Sequence, residues 1–297
     1  MADKYIDFDV LARISSLELL ARTVVQGFTL GLHRSPYRGF SVEFAEYRQY
    51  TPGDDIRFID WNVYGRTDRY YVKQFEEETN LACHLLLDAS ASMGFKGPEA
   101  KFSKLEYGCY LSACLAYFLM GQRDSVSLTV FDSRVRVRLP ARSRHGHLQR
   151  ILTELEGLKA GNDTNISKPM HEMAEGLKRR GMCILISDLL DDPAAVLSAL
   201  QHFRFAGHDV LVFHVLDNAE INFTYSTLTE FRDLENGEKL LVSPGATRRT
   251  YMEEFNRFQN AYEKGAANVK ADYRLFNTRT PLELALSQCL YKRSRLG

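Results

Sequence analysis

Short apolar runs alternate with helical segments from residue 81 to residue 293, and this alternation is the main constraint on the fold. The run LACHLLLD at 81–88 ends in a carboxylate, and the mainly apolar runs at 182–188 and 209–217 have the same form. Such runs are typical of strands that are covered on both faces. Strands that alternate with helices in this way predict an α/β fold with a doubly wound, mainly parallel sheet.

The other elements of this region follow from the same periodicities. Further strands are predicted at 126–131, 135–139 and 273–276, and helices at 105–120, 147–158, 169–177, 193–205, 248–266 and 281–293. The arginine-rich strand at 135–139 follows its neighbour after a short turn, so we expect antiparallel pairing at a solvated sheet edge. Residues 218–246 interrupt the alternation and predict an inserted hairpin with Asn236 and Gly237 at its turn.

The first 80 residues have a different character. Apolar residues recur at helical spacing from residue 9 to residue 25, and Gly27 is expected to end this helix. Between residues 33 and 78, short aromatic and β-branched alternations are broken by prolines and glycines, which indicates a small β-rich subdomain. We therefore divide the chain into residues 1–80, with the helix and the β-rich subdomain, and residues 81–297, with the sheet and its inserted hairpin.

Composition excludes some classes of function. Lysine plus arginine and aspartate plus glutamate each total 38, so no overall attraction to nucleic acid is expected. We expect a cytoplasmic protein, because no signal sequence and no apolar run of membrane-spanning length is evident. The five cysteines form no CxxC pair and are expected to be reduced core residues. His145 and His147 lie too close to a helix start for metal geometry and are expected to face solvent.

Oxygen-bearing side chains follow the predicted strands where those strands end. Asp88, Ser90 and Ser92 alternate directly after the run at 81–88, a polar loop contains Asp163 and Thr164, and Asp188 ends the run at 182–188. Ligands of doubly wound sheets bind at this edge. An all-oxygen set suits a hard cation, with Mg²⁺ favoured and Mn²⁺ or Ca²⁺ as alternatives. Helix capping is the other explanation for the Asp88 loop taken alone.

The Asp88 loop resembles the metal-ion-dependent adhesion site of the von Willebrand factor A family. The pattern of that family is Asp-x-Ser-x-Ser, followed by a threonine and a later aspartate. Asp88, Ser90 and Ser92 match its first part, and Thr164 and Asp188 fit the other two positions by their order in the chain. The resemblance implies that the metal keeps one position open for an acidic side chain of a partner protein.

Nearly the whole chain resembles a bacterial family, domain-of-unknown-function family 58 (DUF58). Its pattern is visible in RSP at 34–36, in YTPGDDIRFIDW at 50–61 and in KQFEEE at 73–78, followed by the A-like domain. Members of that family often accompany MoxR-type AAA+ ATPases. The resemblance therefore implies a partner in the ATPase-driven assembly or maturation of other proteins.

Two classes of function remain. The first is a non-enzymatic, metal-dependent protein-interaction module that holds Mg²⁺ through Asp88, Ser90, Ser92, Thr164 and Asp188. The alternative is a Mg²⁺-dependent hydrolase or phosphotransferase with Asp88 as nucleophile. The sequence favours the first, because Ser90 stands where an aspartyl-phosphate enzyme of the haloacid dehalogenase type needs a second aspartate, and no G-x-x-x-x-G-K-[ST] phosphate loop is present.

Overall fold

The structure is a computed structural model that describes residues 16–33, 47–49, 64–66, 69–73, 81–161, 166–177, 180–234 and 237–293. Within these ranges, no helix is long and apolar enough to cross a membrane. The helices are α1 (Leu17–His33), α2 (Lys104–Gly121), α3 (His145–Glu156), α4 (Ser167–Gly176), α5 (Pro193–Phe205), α6 (Asn218–Asn222), α7 (Pro244–Asn268) and α8 (Leu282–Arg293). The strands are β1 (Tyr47–Gln49), β2 (Tyr71–Lys73), β3 (Ala82–Asp88), β4 (Ser125–Phe131), β5 (Val135–Arg142), β6 (Met182–Ser187), β7 (Asp209–Leu216), β8 (Thr229–Arg232), β9 (Lys239–Val242) and β10 (Asp272–Asn277).

Six strands form the central sheet, in the order β10-β7-β6-β3-β4-β5. All neighbouring pairs are parallel except β4 and β5. From β3 the chain adds β4 and β5 toward one edge of the sheet. It then crosses back and adds β6, β7 and β10 toward the other edge. The strand order therefore reverses between β3 and β6, where the connecting loops leave a crevice. The predicted doubly wound, mainly parallel sheet is confirmed.

Helices cover both faces of this sheet, which explains the unbroken apolar run before Asp88. All seven residues of β3 are buried. Leu85 and Leu87 belong to the core layer of α1, α2, α3 and α8, while Leu86 belongs to the layer of α4, α5 and α7. Successive side chains of a strand point to opposite faces, so a strand with helices on both sides needs apolar residues throughout.

Helix α1 does not end at Gly27 as the sequence predicts. It continues to His33, and Gly27 lies exposed within it. Phe28 explains the continuation, because its ring is buried and packs edge-to-face on Phe118 of α2, with 5.9 Å between ring centroids. Glycine within a helix costs roughly 1 kcal/mol, which is less than burial of a phenylalanine side chain contributes, about 1.5–3 kcal/mol.

Strand β5 pairs antiparallel with β4 at one edge of the sheet, as predicted. Arg136 and Arg138 are exposed, in keeping with a solvated edge. The expectation that His147 faces solvent is wrong. Its side chain is buried beneath α3, with Nε2 at 2.8 Å from the carbonyl oxygen of Val126. Helix α3 begins two residues earlier than predicted, so His147 lies within its first turn. The side chain of His145 lies outside the described residues.

The interruption of the alternation contains α6 and the antiparallel pair β8 and β9. Gly237 has a positive φ of 75°, as the predicted hairpin turn requires, and Asn236 lies outside the described residues. In the N-terminal region, β1 and β2 form a two-stranded antiparallel sheet. Most of the segments with RSP, YTPGDDIRFIDW and KQFEEE lie outside the described residues. Four cysteines are buried free thiols, namely Cys83, Cys109, Cys114 and Cys183.

Candidate metal site

Asp88 ends β3 at the point where the strand order reverses. Its carboxylate is fully buried. Oδ1 accepts a hydrogen bond from the backbone N–H of Ser90 at 2.8 Å, and Oδ2 accepts one from the hydroxyl of Ser187 at 2.6 Å. Both of these donors are neutral, so they orient the carboxylate without cancelling its charge.

Ser90 and Ser92 place two hydroxyls beside this carboxylate. Their Oγ atoms are 3.1 Å apart, and Ser92 is partly exposed while Ser90 is buried. An octahedral Mg²⁺ ion has oxygen ligands at about 2.0–2.1 Å, which separates neighbouring ligands by about 2.9 Å. The two hydroxyls therefore have the spacing of neighbouring positions in such a shell.

Asp188 follows β6 and pairs with a lysine that the sequence analysis does not single out. Lys104 Nζ donates to Asp188 Oδ2 at 2.8 Å and to Glu220 Oε1 at 2.7 Å. The side chains of Lys104 and Asp188 are fully buried, and that of Glu220 is 18% exposed. Lys104 opens α2 and Glu220 lies in α6, so this ion triad joins three elements at the carboxyl edge of the sheet.

The buried charges shift each other's protonation. Burial, and then the Asp188 carboxylate, raise the pKa of Asp88 to about 7, although the hydrogen bonds from Ser187 and Ser90 act in the opposite direction. Burial disfavours the charged form of Lys104, but Asp188 and Glu220 outweigh it and hold the pKa of that lysine above its ordinary value. The cation of the triad is thus permanent, while Asp88 changes charge near neutral pH.

Thr164 and Asp163 lie outside the described residues, and Thr164 stays a prediction. The loop that carries them begins at Gly161, whose backbone N–H donates to the carbonyl oxygen of Ala89 at 2.6 Å. This bond brings the start of the loop next to the Asp88 loop. The structure thus describes four of the five predicted ligands, and all four lie around the same crevice. These four are Asp88, Ser90, Ser92 and Asp188.

Comparison with known proteins assigns the family. The model of the family described as "Protein of unknown function DUF58" matches residues 46–261. The chain belongs to the DUF58 family. Uncharacterized proteins of Mycobacterium bovis and Mycobacterium tuberculosis are 28% identical to this DUF58 protein over 234 residues, which is 78% of this chain and 73% of theirs.

Solved structures share the fold. The conserved hypothetical protein BatB from Bacteroides thetaiotaomicron aligns with a TM-score of 0.52 and 18% identity, over 72% of this chain and 99% of its own. The SpRpn10 VWA domain aligns with a TM-score of 0.42 and 9% identity, over 70% of this chain and 94% of its own. The BatB structure thus shares the doubly wound α/β fold of the DUF58 chain.

Lys104 and Glu220 are the charged residues of the crevice that the sequence analysis does not find. One signal for Lys104 is available in the sequence. Helix α2 is capped at its start by Ser103 and Glu106, and Lys104 occupies the first position of an otherwise mainly apolar helix. A cation is unfavourable there, because the amino end of a helix carries partial positive charge. A lysine at this position therefore needs an acidic partner, and Asp188 and Glu220 supply it.

The donor set of this DUF58 protein fits a hard divalent cation. Asp88 and Asp188 supply carboxylates, and Ser90 and Ser92 supply hydroxyl oxygens, which is the chemistry that Mg²⁺ prefers. Across the described ranges, no group of three or more His, Cys, Asp or Glu side chains is arranged to hold a metal ion. An ion in this crevice would accordingly need the serine hydroxyls and water in addition to the two carboxylates.

Proposed function

We propose that this DUF58 protein is a non-enzymatic interaction module whose crevice holds Mg²⁺ and offers it to the carboxylate of a partner protein. Asp88, Ser90, Ser92 and Asp188 would hold the ion, together with Thr164 of the neighbouring loop. The observation that carries the proposal is the buried Asp88 carboxylate, which has only neutral hydrogen-bond donors at its two oxygens and lies beside a second carboxylate.

A bound cation would offset the cost of burying the Asp88 charge beside Asp188. The raised pKa of Asp88 reflects the cost of placing its charge in a buried site next to Asp188. A divalent ion reverses that cost, because it favours the ionised carboxylate. Two hydroxyls are uncharged ligands and bind weakly, so a partner carboxylate would add substantially to the affinity.

The residue two positions after Asp88 supports binding rather than turnover. An aspartyl-phosphate enzyme of the haloacid dehalogenase type needs a second aspartate there, and Ser90 stands at that position. The Ser90 hydroxyl lies 3.1 Å from that of Ser92 and offers a metal ligand instead. Ser92, the partly exposed member of the set, is where a partner oxygen would approach.

The family membership supports a particular partner. We take this to be a MoxR-type AAA+ ATPase, as the resemblance to DUF58 implies, with the module linking the ATPase to proteins that it assembles or matures. The ATPase would supply the energy of nucleotide hydrolysis, and this chain would supply metal-dependent recognition.

Calorimetric titration of Mg²⁺ tests the proposal. Wild-type protein should bind one ion, and Asp88→Asn should lose this binding. Asp217→Asn is the control and should keep it. Asp217 is also a buried carboxylate at the end of a neighbouring strand, but its side chain caps α6. A MoxR-type ATPase encoded in the same genome should then bind the wild type in Mg²⁺ and not in EDTA. Metal-independent association, or phosphate release from p-nitrophenyl phosphate that Asp88→Asn abolishes, would overturn the proposal.

A further inference from the structure

An apolar cavity opens beside the candidate metal site. Its volume is about 480 Å³, and Ser92 and Leu190 line it on the side of the sheet loops. The inserted segment forms the opposite wall with Phe223, Phe231 and Leu234, and the exposed Arg232 and Asp233 also line it. Ser92 thus belongs both to the proposed metal ligands and to this cavity, so an occupant of one lies next to the other.

The far wall is a cluster of aromatic rings that pack on one another. Phe223 contacts Tyr225, Phe231 and Tyr251, with ring centroids 5.4, 6.2 and 4.7 Å away. The backbone of Phe223 has a positive φ of 45°, a conformation that is strained for a bulky residue. This turn leads the chain from α6 toward the hairpin and buries the Phe223 ring. The wall is therefore formed before any partner arrives, which lowers the entropic cost of filling the cavity.

Three polar residues that line the cavity already have partners within the protein. Lys104 pairs with Asp188 and Glu220, the other Glu220 oxygen accepts from the backbone N–H of Asp217, and the Tyr251 hydroxyl donates to the Glu220 carbonyl. A polar occupant would have to compete with these bonds. An apolar occupant would bury surface without breaking them.

We propose that the cavity receives an aromatic or large aliphatic side chain from the same partner segment whose carboxylate completes the metal shell. The inference rests on the function proposed above, because the metal determines where the carboxylate lies. A residue of extended chain spans about 3.3–3.6 Å, and Ser92 borders both positions, so the two side chains should lie within about two residues of each other. The recognised feature is then an acidic residue flanked by a large apolar one.

A peptide array identifies such a preference directly. Nonapeptides with a fixed central aspartate and varied neighbours are probed with labelled protein in Mg²⁺ and in EDTA, and selected peptides are then measured by fluorescence anisotropy. We expect Phe, Tyr, Trp or Leu to be selected within two positions of the aspartate, only in Mg²⁺. Replacement of the apolar residue by serine should weaken binding by roughly tenfold or more, and replacement of the aspartate by asparagine should abolish it.

Two leucines of the inserted segment provide a matched pair of variants. Leu234 lines the cavity and is 48% exposed, whereas Leu241 is 63% exposed and does not line it. Leu241 is opposite Glu230 in the β8–β9 pairing, and Phe231 is opposite Leu240, so Leu241 points to the other face of the hairpin. Leu234→Asp should remove the advantage of the aromatic peptide over its serine version, while Leu241→Asp should retain it.

The possible results separate this inference from the function on which it rests. Aspartate- and Mg²⁺-dependent binding without any preference beside the aspartate would overturn the role of the cavity and leave the metal module intact. Aromatic peptides that bind equally well with asparagine would overturn the link between cavity and metal. If the wild-type protein bound neither Mg²⁺ in calorimetry nor any peptide on the array, both proposals would be overturned.

Discussion

Lys104 and Asp188 form a fully buried ion pair, with 2.8 Å between Nζ and Oδ2, and Asp188 is at the same time a proposed metal ligand. The lysine also holds Glu220 of α6, which borders the apolar cavity. A single ammonium group therefore connects the candidate metal position to the inserted segment. Such a connection gives the crevice one permanent positive charge, whatever its metal content.

Removal of this lysine charge should strongly destabilise the fold. Lys104→Met would leave the Asp188 and Glu220 carboxylates buried without their cation, and breaking a buried pair in this way costs about 3–5 kcal/mol. Urea denaturation in EDTA measures the loss of unfolding free energy. We also expect Mg²⁺ to restore more stability to the variant than it gives to the wild type, because the ion supplies charge to Asp188.

Lys168→Met is the control for this variant, since Lys168 is exposed on α4 and is not a member of the triad. It should change stability by less than about 0.5 kcal/mol. A Lys104→Met protein as stable as this control would show that the triad contributes little to the fold.

Gly97 should be intolerant of any side chain. Its backbone N–H donates to Asp217 Oδ2 at 3.2 Å, and a Cβ atom on Gly97 would overlap the Asp217 carboxylate. Asp217 caps α6, the helix that carries Glu220. Gly97→Ala should therefore displace this cap and lower the unfolding free energy by about 1–3 kcal/mol, measured by thermal denaturation.

Gly121→Ala is the matched control for Gly97→Ala. A Cβ atom at Gly121 meets no neighbouring heavy atom within 4 Å, and the residue ends helix α2. Alanine there reduces the entropy of the unfolded chain and should leave the protein equally or slightly more stable. Equal losses in the two variants would contradict a specific role for the Gly97–Asp217 contact.

The Asp88 loop can be predicted from sequence because its members are contiguous and follow a recognisable strand. Prediction requires only the local order of the chain for Asp88, Ser90 and Ser92. For Asp188 it requires only that a second strand of the same kind is recognised. The parallel pairing of β3 with β6 then brings the two strand ends together. Buried strands are the elements that apolar patterning identifies best.

Lys104 and Glu220 could not be found in the same way. Lys104 lies 84 residues from Asp188 and 116 residues from Glu220 in the sequence. Their meeting depends on how α2 and α6 pack over the sheet, which periodicity does not specify. The continuation of α1 past Gly27 was likewise decided by packing on α2, a tertiary effect that outweighs the local preference of glycine.

A substitution of Phe28 tests whether packing on α2 stabilises the part of α1 that follows Gly27. Phe28→Ala removes a buried ring that packs on Phe118 and should cost about 3–5 kcal/mol. Leu19→Ala on the same helix is the control, because Leu19 is 53% exposed and should contribute much less. Urea denaturation compares the two. Similar small losses would mean that α1 contributes little to the stability of the sheet domain.

Asp88 should link the stability of the metal-free protein to pH. Burial and the neighbouring Asp188 raise its pKa to about 7 from 3.8. A carboxyl group with a higher pKa in the folded state contributes stability that is complete below the unfolded value and is lost as pH rises through the folded value. The Asp88 contribution to the unfolding free energy in EDTA should therefore fall between about pH 4 and pH 7 and be flat at higher pH.

Buried histidines act in the opposite direction over part of this window. Burial lowers the pKa of His214 to about 4, so its contribution to stability rises with pH between that value and the ordinary histidine pKa of about 6.5. The unfolding free energy of the wild type relative to Asp88→Asn should therefore fall as pH rises through this window, which leaves Asp88→Asn the relatively more stable protein at its upper end. Mg²⁺ should oppose the fall in the wild type alone, because it binds the ionised carboxylate. A stability difference between the two proteins in EDTA that does not change with pH would show that Asp88 is already ionised in the metal-free fold and would remove the electrostatic reason for an ion at this position.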